Sequence, residues 1–394
     1  MCVLLLLVFW VNAQSLNETY LHAKADMIRK EYAEAAQRIL SIPERERTSS
    51  MYMTLGESYY LSNRYVEAAR YFVYADSAGA NPEAQISAAR AYAMLQQPAN
   101  AVEWLQKYLS QRDKLSESEI TLDPAFEKIE RSREWRELWN RDWYSAADRR
   151  EEEAAILLRR NRHTDALAIV EAEIVRASTA RFHFMRAKVY SSMEQYVPAH
   201  ESAQTAIRMR NNIPEYFVQA AYVAVRVKKY DIALENINRA IRLEPYQLEL
   251  YLQRASILRM NQRVDDARND INFYFKYLPD DTKALFQMGI AEIDAGNTLE
   301  GIEYFTILID NDRSIPEYFI ARADARLKTN NYAHAGDDLS QALDLDPTIP
   351  EAWHKKGIVL QHENKIEDAC YCWRKSLNMG YREAAEYIYK FCIR

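Results

Sequence analysis

The stretch Ile213–Phe217, "IPEYF", occurs again at Ile315–Phe319, and the related "IPEAW" begins at Ile349. The third copy starts about 34 residues after the second, and the two identical copies start three times as far apart. A fixed period of about 20 to 50 residues indicates a chain of structural repeats. Proline suits the first turn of a helix, where its missing N–H is not needed, and the following glutamate favours the positive helix end. The motif therefore predicts a helix start that recurs with this period.

Six units of this length align without a gap when position 1 is placed at Ala180, Pro214, Leu248, Thr282, Pro316 and Pro350. Positions 8 and 20 are then Ala or Gly in every unit, which lets two helices approach closely. Position 32 is proline in three units, at Pro245, Pro279 and Pro347, and proline there ends the second helix. Each unit is thus predicted to form two antiparallel helices.

An aromatic residue at position 4, Leu-Gly at 7 and 8, Tyr at 11, Ala at 20 and Phe at 24 together resemble the tetratricopeptide repeat. The unit from Ser49 carries this pattern at Tyr52, Leu55, Gly56, Tyr59, Tyr65, Ala68, Phe72 and Ala75. Weaker copies begin near Leu16, Pro82 and Ala147. The resemblance covers nearly all of the chain after residue 13. It implies an all-α fold, a right-handed α-solenoid of antiparallel helix pairs with about ten units.

The N-terminus, "MCVLLLLVFW" followed by Val11-Asn12-Ala13, is typical of a secretory signal that is cut after Ala13. A membrane anchor is the alternative, but about 12 apolar residues fall short of the roughly 20 that span a bilayer. No other segment is apolar enough to be predicted to span a membrane. We expect an exported protein that is periplasmic, outer-membrane-associated or secreted. The predicted divisions are a signal peptide (1–13), about three repeats (14–111), a Trp-rich insert (112–146), about seven repeats (147–383) and a capping helix (384–394).

Charge and composition disfavour several classes of function. The 51 basic and 57 acidic residues give a net charge of −6 without long runs of one sign, so no nucleic acid partner is expected. With only 8 glycines and no common catalytic or phosphate-binding motif, the chain is predicted to be neither an enzyme nor a cofactor-binding protein.

A zinc site formed by His354, His362, Cys370 and Cys372 is disfavoured by the spacing of the two cysteines. Cys370 and Cys372 lie two apart on a predicted helix and point in different directions. Core cysteines and solvent-facing histidines are the favoured interpretation. We expect one disulfide from Cys392 back to the last repeat, with a final helix from Tyr381 to Arg394 as the cap.

Charged residues recur between the two helices of a unit. Arg254 and Arg322 occupy position 7, and the acids Asp270 and Asp338 occupy position 23 of the same two units. This shared spacing predicts an ion pair within each of these units. Arg186 lacks an acid at 23 and is expected to use Glu201 at position 22. Ligand-binding arginines are the alternative.

The period breaks between Arg112 and Ala147, where Asp123-Pro124 is predicted to open a helix. Trp135, Trp139 and Trp143 follow at i, i+4 and i+8, so they would share one helical face. Packing against the flanking repeats is the favoured interpretation. An aromatic patch that binds a partner is the alternative.

In tetratricopeptide repeat proteins the first helix of each pair lines a concave groove, with positions 2, 5, 9, 12 and 13 facing it. The resemblance places the corresponding residues of this chain in the groove, and three glutamines at position 6 are added to them. The predicted groove comprises Phe184, Lys188, Glu215, Gln219, Tyr222, Arg226, Leu252, Gln253, Arg259, Phe286, Gln287, Asp294, Asp324, Lys328, His354, Gln361 and His362. This mixture of rings, amides and both charge signs suits an extended peptide. A solvated face is the alternative.

The resemblance therefore implies a non-catalytic scaffold or adaptor outside the cytoplasm that binds a protein or an extended peptide. The "AQS" junction and the ending "GYREAAEYIYKFC" resemble exported repeat proteins of Bacteroidetes. A carbohydrate-binding surface protein of a glycan-uptake system is the alternative, although no cysteine suited to lipidation follows the signal. The sequence indicates no particular oligomeric state.

Overall fold

The computed structural model describes residues 16–393, which form an all-α solenoid of consecutive helix pairs, without a strand in that range. The predicted signal peptide and Arg394 lie outside the described residues. Before the insert the pairs are α1 (16–28) and α2 (Tyr32–Ser41), α3 (Ser49–Leu61) and α4 (Tyr65–Ala78), and α5 (Pro82–Met94) and α6 (Pro98–Leu109). The insert holds α7 (Glu117–Thr121) and α8 (Arg133–Trp139), with short 3-10 turns at Glu44–Glu46 and Pro124–Phe126.

Seven further pairs and a final helix follow the insert. They are α9 (Ala146–Arg159) and α10 (His163–Arg176), α11 (Ala180–Ser192) and α12 (Tyr196–Met209), α13 (Pro214–Arg226) and α14 (Tyr230–Leu243), α15 (Glu249–Met260) and α16 (Val264–Phe275), α17 (Thr282–Asp294) and α18 (Thr298–Asn311), α19 (Pro316–Lys328) and α20 (Tyr332–Leu345), α21 (Pro350–His362) and α22 (Ile366–Asn378), and α23 (Ala384–Phe391).

The helix starts confirm the predicted repeat register. Five of the six predicted starts are the first residue of a helix, and the sixth helix begins at Glu249, directly after Leu248. In each of these six units, position 15 adopts a positive φ between 57° and 91°, at Glu194, Lys228, Gln262, Gly296, Asn330 and Asn364. One left-handed residue therefore makes the same turn between the two helices of each pair, a feature that the sequence did not reveal because the residue type varies.

The side chains at positions 8 and 24 are complementary in size: the smallest residue at position 8 faces the largest at position 24. Gly56, Gly289 and Gly357 at position 8 face Phe72, Phe305 and Trp373 at position 24. A Cβ on Gly56 or Gly289 would lie 2.5 Å or 2.9 Å from the opposing ring, so only glycine fits without displacing it. Where position 8 is alanine, as at Ala221, Ala255 and Ala323, position 24 is Ile237, Ile271 and Leu339.

The chain divides into two compact units, with residues up to Leu250 in unit 1 and residues from Tyr251 in unit 2. Within unit 1 the first helix contacts the loop that follows α14, far away along the chain. The Tyr20 and Tyr246 rings meet edge to face at 4.7 Å, and the Tyr246 hydroxyl donates to Asn17 Oδ1 at 2.7 Å. Unit 1 is therefore closed by a contact between its ends.

The two predicted ion pairs are present. Arg254 Nη2 lies 2.6 Å from Asp270 Oδ1, and Arg322 Nη2 lies 2.7 Å from Asp338 Oδ1.

The prediction for Arg186 was wrong. Its Nε donates to Ser202 Oγ at 2.9 Å and its Nη1 lies 3.3 Å from Glu171, whereas Glu201 is exposed. Ser202 occupies position 23, as Asp270 and Asp338 do in their own units. The side chain at position 23 therefore faces the arginine at position 7, whereas Glu201 at position 22 does not.

The prediction of one helix for the insert was also wrong. Asp123-Pro124 opens only a 3-10 turn, and α8 ends at Trp139, so Trp143 lies in the following loop. Trp135 is buried beside Phe126, with 5.3 Å between ring centroids. Trp139 and Trp143 are partly buried against the same cluster, and Trp143 Nε1 donates to the Leu138 carbonyl at 2.9 Å. This cluster packs the insert against α5 and α6.

The C-terminal cap covers the last pair. Cys370 and Cys392 form the expected disulfide, with their Cα atoms 5.7 Å apart, while Cys372 is a buried free thiol. The cap helix, α23, is shorter than the predicted span from Tyr381 to Arg394. His354 is buried instead of facing solvent, because the Tyr381 and Tyr387 rings lie 5.1 Å and 4.8 Å from its imidazole.

Among the described residues, no helix is both long and apolar enough to cross a membrane. The same residues contain no group of three or more His, Cys, Asp or Glu side chains placed to hold a metal ion.

Candidate functional site

In unit 1 the structure brings three of the predicted groove residues together. Lys188 on α11 and Gln219 and Tyr222 on α13 line one open depression, with Leu158, Ser191 and Ser192 completing it. These side chains come from the first helices of three successive pairs, and α11 contacts both α9 and α13. The repeat register produces this arrangement because it presents the same helix face in each unit.

The depression presents one cation, one amide and one ring. Lys188 is exposed, with its Nζ 5.6 Å from the Phe184 ring centroid, and it has no carboxylate partner among the described residues. The Gln219 amide donates to Ser191 Oγ at 3.0 Å, which fixes its orientation. The Tyr222 ring is 49% exposed, so half of an aromatic side chain remains free to contact a ligand.

Two further groove residues of unit 1, Phe184 and Arg226, lie one helical turn from Lys188 and Tyr222 and have different surroundings. Arg226 is exposed and donates from Nη2 to the Tyr196 hydroxyl at 2.8 Å, with its guanidinium over the same ring. Phe184 is half-buried and stacks on Tyr216, with 4.5 Å between ring centroids. Phe184 is therefore held by packing against a second ring, whereas Arg226 places a charged group at the surface one helical turn after Tyr222.

A second, polar cavity in unit 1 was missed by the sequence reasoning. It lies between the insert and helices α9 and α11 and is lined by Lys114, Ser116, Glu119, Tyr144, Asp148, Glu151, Glu152, Ala155, Arg159, Arg181 and Met185. The insert is held there because the Ser118 amide donates to Glu152 Oε1 at 3.1 Å. The only sequence signal for this cavity was the break in period after Arg112.

Arg181 organises the charges of this cavity. It pairs with Asp148 and lies 3.1 Å from Glu151. Burial would raise the pKa of the Asp148 carboxyl, but hydrogen bonds from Arg181 and Ser145 hold it below its ordinary value. Burial dominates at Glu151 and raises its pKa in spite of Arg181. Two of the four acidic side chains of the cavity, Asp148 and Glu151, are thus paired with one guanidinium, while Glu119 and Glu152 accept hydrogen bonds from the insert.

In unit 2 most predicted groove residues have partners within the fold. Arg259 pairs with Asp294 at 2.8 Å, and Phe286 packs on Phe305 and Tyr318. Asp324 accepts from Lys355 Nζ at 2.5 Å, and burial raises the pKa of Asp324 although Lys355 opposes this shift.

The remaining groove residues of unit 2 differ in their access to solvent. Leu252 is buried, so its predicted place on the groove surface was wrong. Gln253, Gln287 and Gln361 are half-buried, and Lys328 is exposed. His354 is buried under the cap, and burial lowers the pKa of its imidazole. His362 is exposed and stacks on Tyr332 at 4.0 Å.

Comparison with known proteins agrees with this architecture. The model of the tetratricopeptide repeat family matches residues 218–272 and 286–353. These two segments are similar to the tetratricopeptide repeat family. These matched segments include the ion pair of Arg254 and Asp270 and that of Arg322 and Asp338. The resemblance carried by the repeated positions is thus confirmed.

The relatives support the fold of the protein more than any particular activity. The chain is 36% identical over 70 residues to a DnaJ protein P58IPK homolog of Arabidopsis thaliana. That match covers 18% of this chain, and the chain spans only 14% of the relative's length. A crystal structure of a tetratricopeptide repeat protein from Parabacteroides merdae aligns with a TM-score of 0.56 at 16% identity, over 62% of this chain and 96% of that one.

Proposed function

We propose that the chain as a whole is a tetratricopeptide repeat protein and serves as a non-catalytic scaffold or adaptor that binds an extended segment of another protein in the unit 1 groove. The observation that carries the proposal is the open depression in which Lys188, Gln219 and Tyr222 converge. A cation, an oriented amide and a half-exposed ring can contact a peptide's side chains and backbone at neighbouring points.

The hydroxyl groups of the depression favour binding over catalysis. Ser191 Oγ donates to the Ala187 carbonyl at 2.7 Å, and Ser192 Oγ donates to the Lys188 carbonyl at 3.1 Å. A serine nucleophile needs an adjacent general base to take its proton. Both hydroxyls instead bond back to the preceding turn of their own helix, so neither is held as a nucleophile would be.

We further propose that the protein works outside the cytoplasm. The sequence of residues 1–13 supports this, and so does the bond between Cys370 and Cys392, because disulfides persist mainly in oxidising compartments. The alternative, capture of a carbohydrate, draws on the Tyr222 ring beside the Gln219 amide, since sugars also bind by contact with rings and amides.

Photocrosslinking tests the proposal directly. The residue p-benzoylphenylalanine is placed at Tyr222 in the chain from Gln14 onward, with the same substitution at Tyr389, 77% exposed on α23, as the control. Both proteins are irradiated in the envelope fraction of the source organism, and adducts are identified by mass spectrometry. We expect one protein to be captured at Tyr222 and not at Tyr389. Glycan binding that Tyr222→Ala abolishes, with no protein adduct, would replace the scaffold by the carbohydrate alternative.

A further inference from the structure

The unit 1 groove has one acidic and one basic side. Near their N-terminal ends, α9 carries Asp148 and Glu151 and α13 carries Glu215, whereas the first turn of α11 carries Arg181. Toward their C-terminal ends they carry Arg159, Lys188 and Arg226, which we call the basic rim. Arg159 and Arg226 both hold position 13 of their units, and Lys188 holds position 9.

The cations of the basic rim lack carboxylate partners among the described residues, although the whole chain is acidic. Arg159, Lys188 and Arg226 are all exposed, and the neighbours of the last two are aromatic rings and a tyrosine hydroxyl. By contrast, Arg181 at the acidic side is neutralised by Asp148 and Glu151. Among α9, α11 and α13, the cations that form no ion pair therefore lie toward the C-terminal ends of the helices, although Lys188 also acts on the Glu151 carboxyl at longer range.

The helix dipole explains part of this pattern but leaves Lys188 unexplained. Cations in the last turn of a helix interact favourably with its negative end, which accounts for Arg159 and Arg226. Lys188 lies a full turn before Ser192, the end of α11, and its ammonium group lines the depression beside Tyr222. A long cationic side chain without a partner in such a place is suited to a ligand's negative group.

The spacing of the helices matches an extended peptide. Packed helices lie about 8 to 10 Å apart, and a polyproline II segment advances about 3.1 Å per residue with three residues per turn. Every third side chain of such a segment would therefore point to the same side and meet successive helices. The contacts of α11 with both α9 and α13 place the three cations on adjacent helices.

We propose that the basic rim selects an acidic extended segment of a partner protein. Its carboxylates face Arg159, Lys188 and Arg226, and a neighbouring apolar or aromatic side chain covers Tyr222 and Leu158. This inference rests on the proposed function and names the class of peptide that the groove takes. Charge complementarity is the observation that commits the groove to an acidic occupant.

The test measures fluorescence anisotropy of three fluorescein-labelled peptides, (Glu-Pro-Ala)4, (Gln-Pro-Ala)4 and (Lys-Pro-Ala)4, with the chain from Gln14 onward. A double variant, Lys188→Glu with Arg226→Glu, reverses the rim. Arg242→Glu, an exposed site on α14, is the matched charge control. Circular dichroism checks that each variant is folded.

We expect the glutamate peptide to bind about ten-fold more tightly than the glutamine peptide, as two or three partly exposed ion pairs allow. The double variant should weaken that binding about ten-fold, and Arg242→Glu should change it less than about two-fold. Equal binding of the glutamate and glutamine peptides, unchanged binding by the double variant, or no binding of the glutamate peptide at about 1 mM would each overturn the inference.

Failure of the inference can be told apart from failure of the proposed function. The Tyr222 photocrosslink is repeated in the Lys188→Glu and Arg226→Glu background. A partner protein that is still captured there leaves the scaffold function standing and removes the preference for acidic segments. Loss of the adduct in this background, but not in Arg242→Glu, supports both.

Discussion

Arg322 and Asp338 join the two helices of the α19–α20 pair through two hydrogen bonds, from Nη2 to Oδ1 at 2.7 Å and from Nε to Oδ2 at 3.1 Å. Arg326 Nη1 donates to the same carboxylate at 2.6 Å, and Arg322 Nη1 also donates to Thr306 Oγ1 on α18 at 3.1 Å. The Asp338 side chain is only 3% exposed. One buried carboxylate therefore compensates two guanidinium groups and connects three helices.

Replacing Asp338 by alanine should lower the free energy of unfolding by about 3 kcal/mol, because it leaves two largely buried arginines unpaired. Urea denaturation followed by circular dichroism measures the change. Asp310→Ala removes an exposed acid that is paired with Arg313 and should cost less than about 0.5 kcal/mol. Equal midpoints for the two variants would show that the buried pair is not structural.

Gly357→Ala should destabilise the last repeat by about 1 to 3 kcal/mol, because the added methyl group would overlap the buried Trp373 ring. Trp373 cannot easily move, since its Nε1 donates to the His354 carbonyl at 3.1 Å. Gly79→Ala is the control, because its added Cβ would lie at an ordinary van der Waals distance of 3.8 Å from Ser49 Cβ and its φ of 174° is extended. Adding Trp373→Leu should recover part of the loss, since alanine and leucine coexist at these positions as Ala323 and Leu339.

Acid should destabilise the protein through its buried histidines. Burial lowers the pKa of His183, His200 and His354 below the ordinary value of 6.5. The unfolded chain then binds more protons than the folded one as pH falls below 6.5, so stability falls until the folded pKa is reached. His354→Leu should remove about 1 kcal/mol of the loss between pH 7.5 and 5.5. Urea midpoints at the two pH values measure this loss, which His362→Leu, at an exposed site, should leave unchanged.

Breaking the Cys370–Cys392 bond should loosen the C-terminal cap. The bond spans 22 residues, and a loop of that size is worth about 3 kcal/mol in the chain-entropy model. Cys392→Ser, or reduction of the native chain, should speed amide exchange across Ala384–Phe391, measured by mass spectrometry. Cys372→Ala alters the neighbouring free thiol and should leave exchange in this helix slow. Slow exchange in the reduced native chain would mean that the ring contacts alone hold the cap.

Tyr246→Ala should release the N-terminal helix of unit 1. It removes the ring contact with Tyr20 and the hydrogen bond to Asn17, together worth about 1 to 3 kcal/mol. Amide exchange across residues 16–28 should become faster. Tyr246→Phe keeps the ring and should show a smaller effect. Unchanged exchange in the alanine variant would indicate that the contact does not hold α1.

Repetition explains how much of the fold could be read from the sequence. Five helix starts and the ion pairs of Arg254 and Arg322 followed from the period, because each repeat places the same positions against the same neighbours. The matching of Gly357 to Trp373 obeys the same rule. The convergence of Lys188, Gln219 and Tyr222 was likewise within reach, since one helix face recurs in adjacent units.

Contacts between distant or irregular parts were decided by the tertiary structure. Sequence alone determined that helix pairs repeat with a fixed period, because local turns and near-neighbour packing set that pattern. Only the folded chain decided that Trp143 leaves α8, that His354 is buried beneath the cap, and that Tyr246 reaches Tyr20. The physical reason is that small rotations between successive repeats add up along the chain. These rotations and the insert outside the period determine which distant side chains meet. Neither can be read from the sequence of a single repeat.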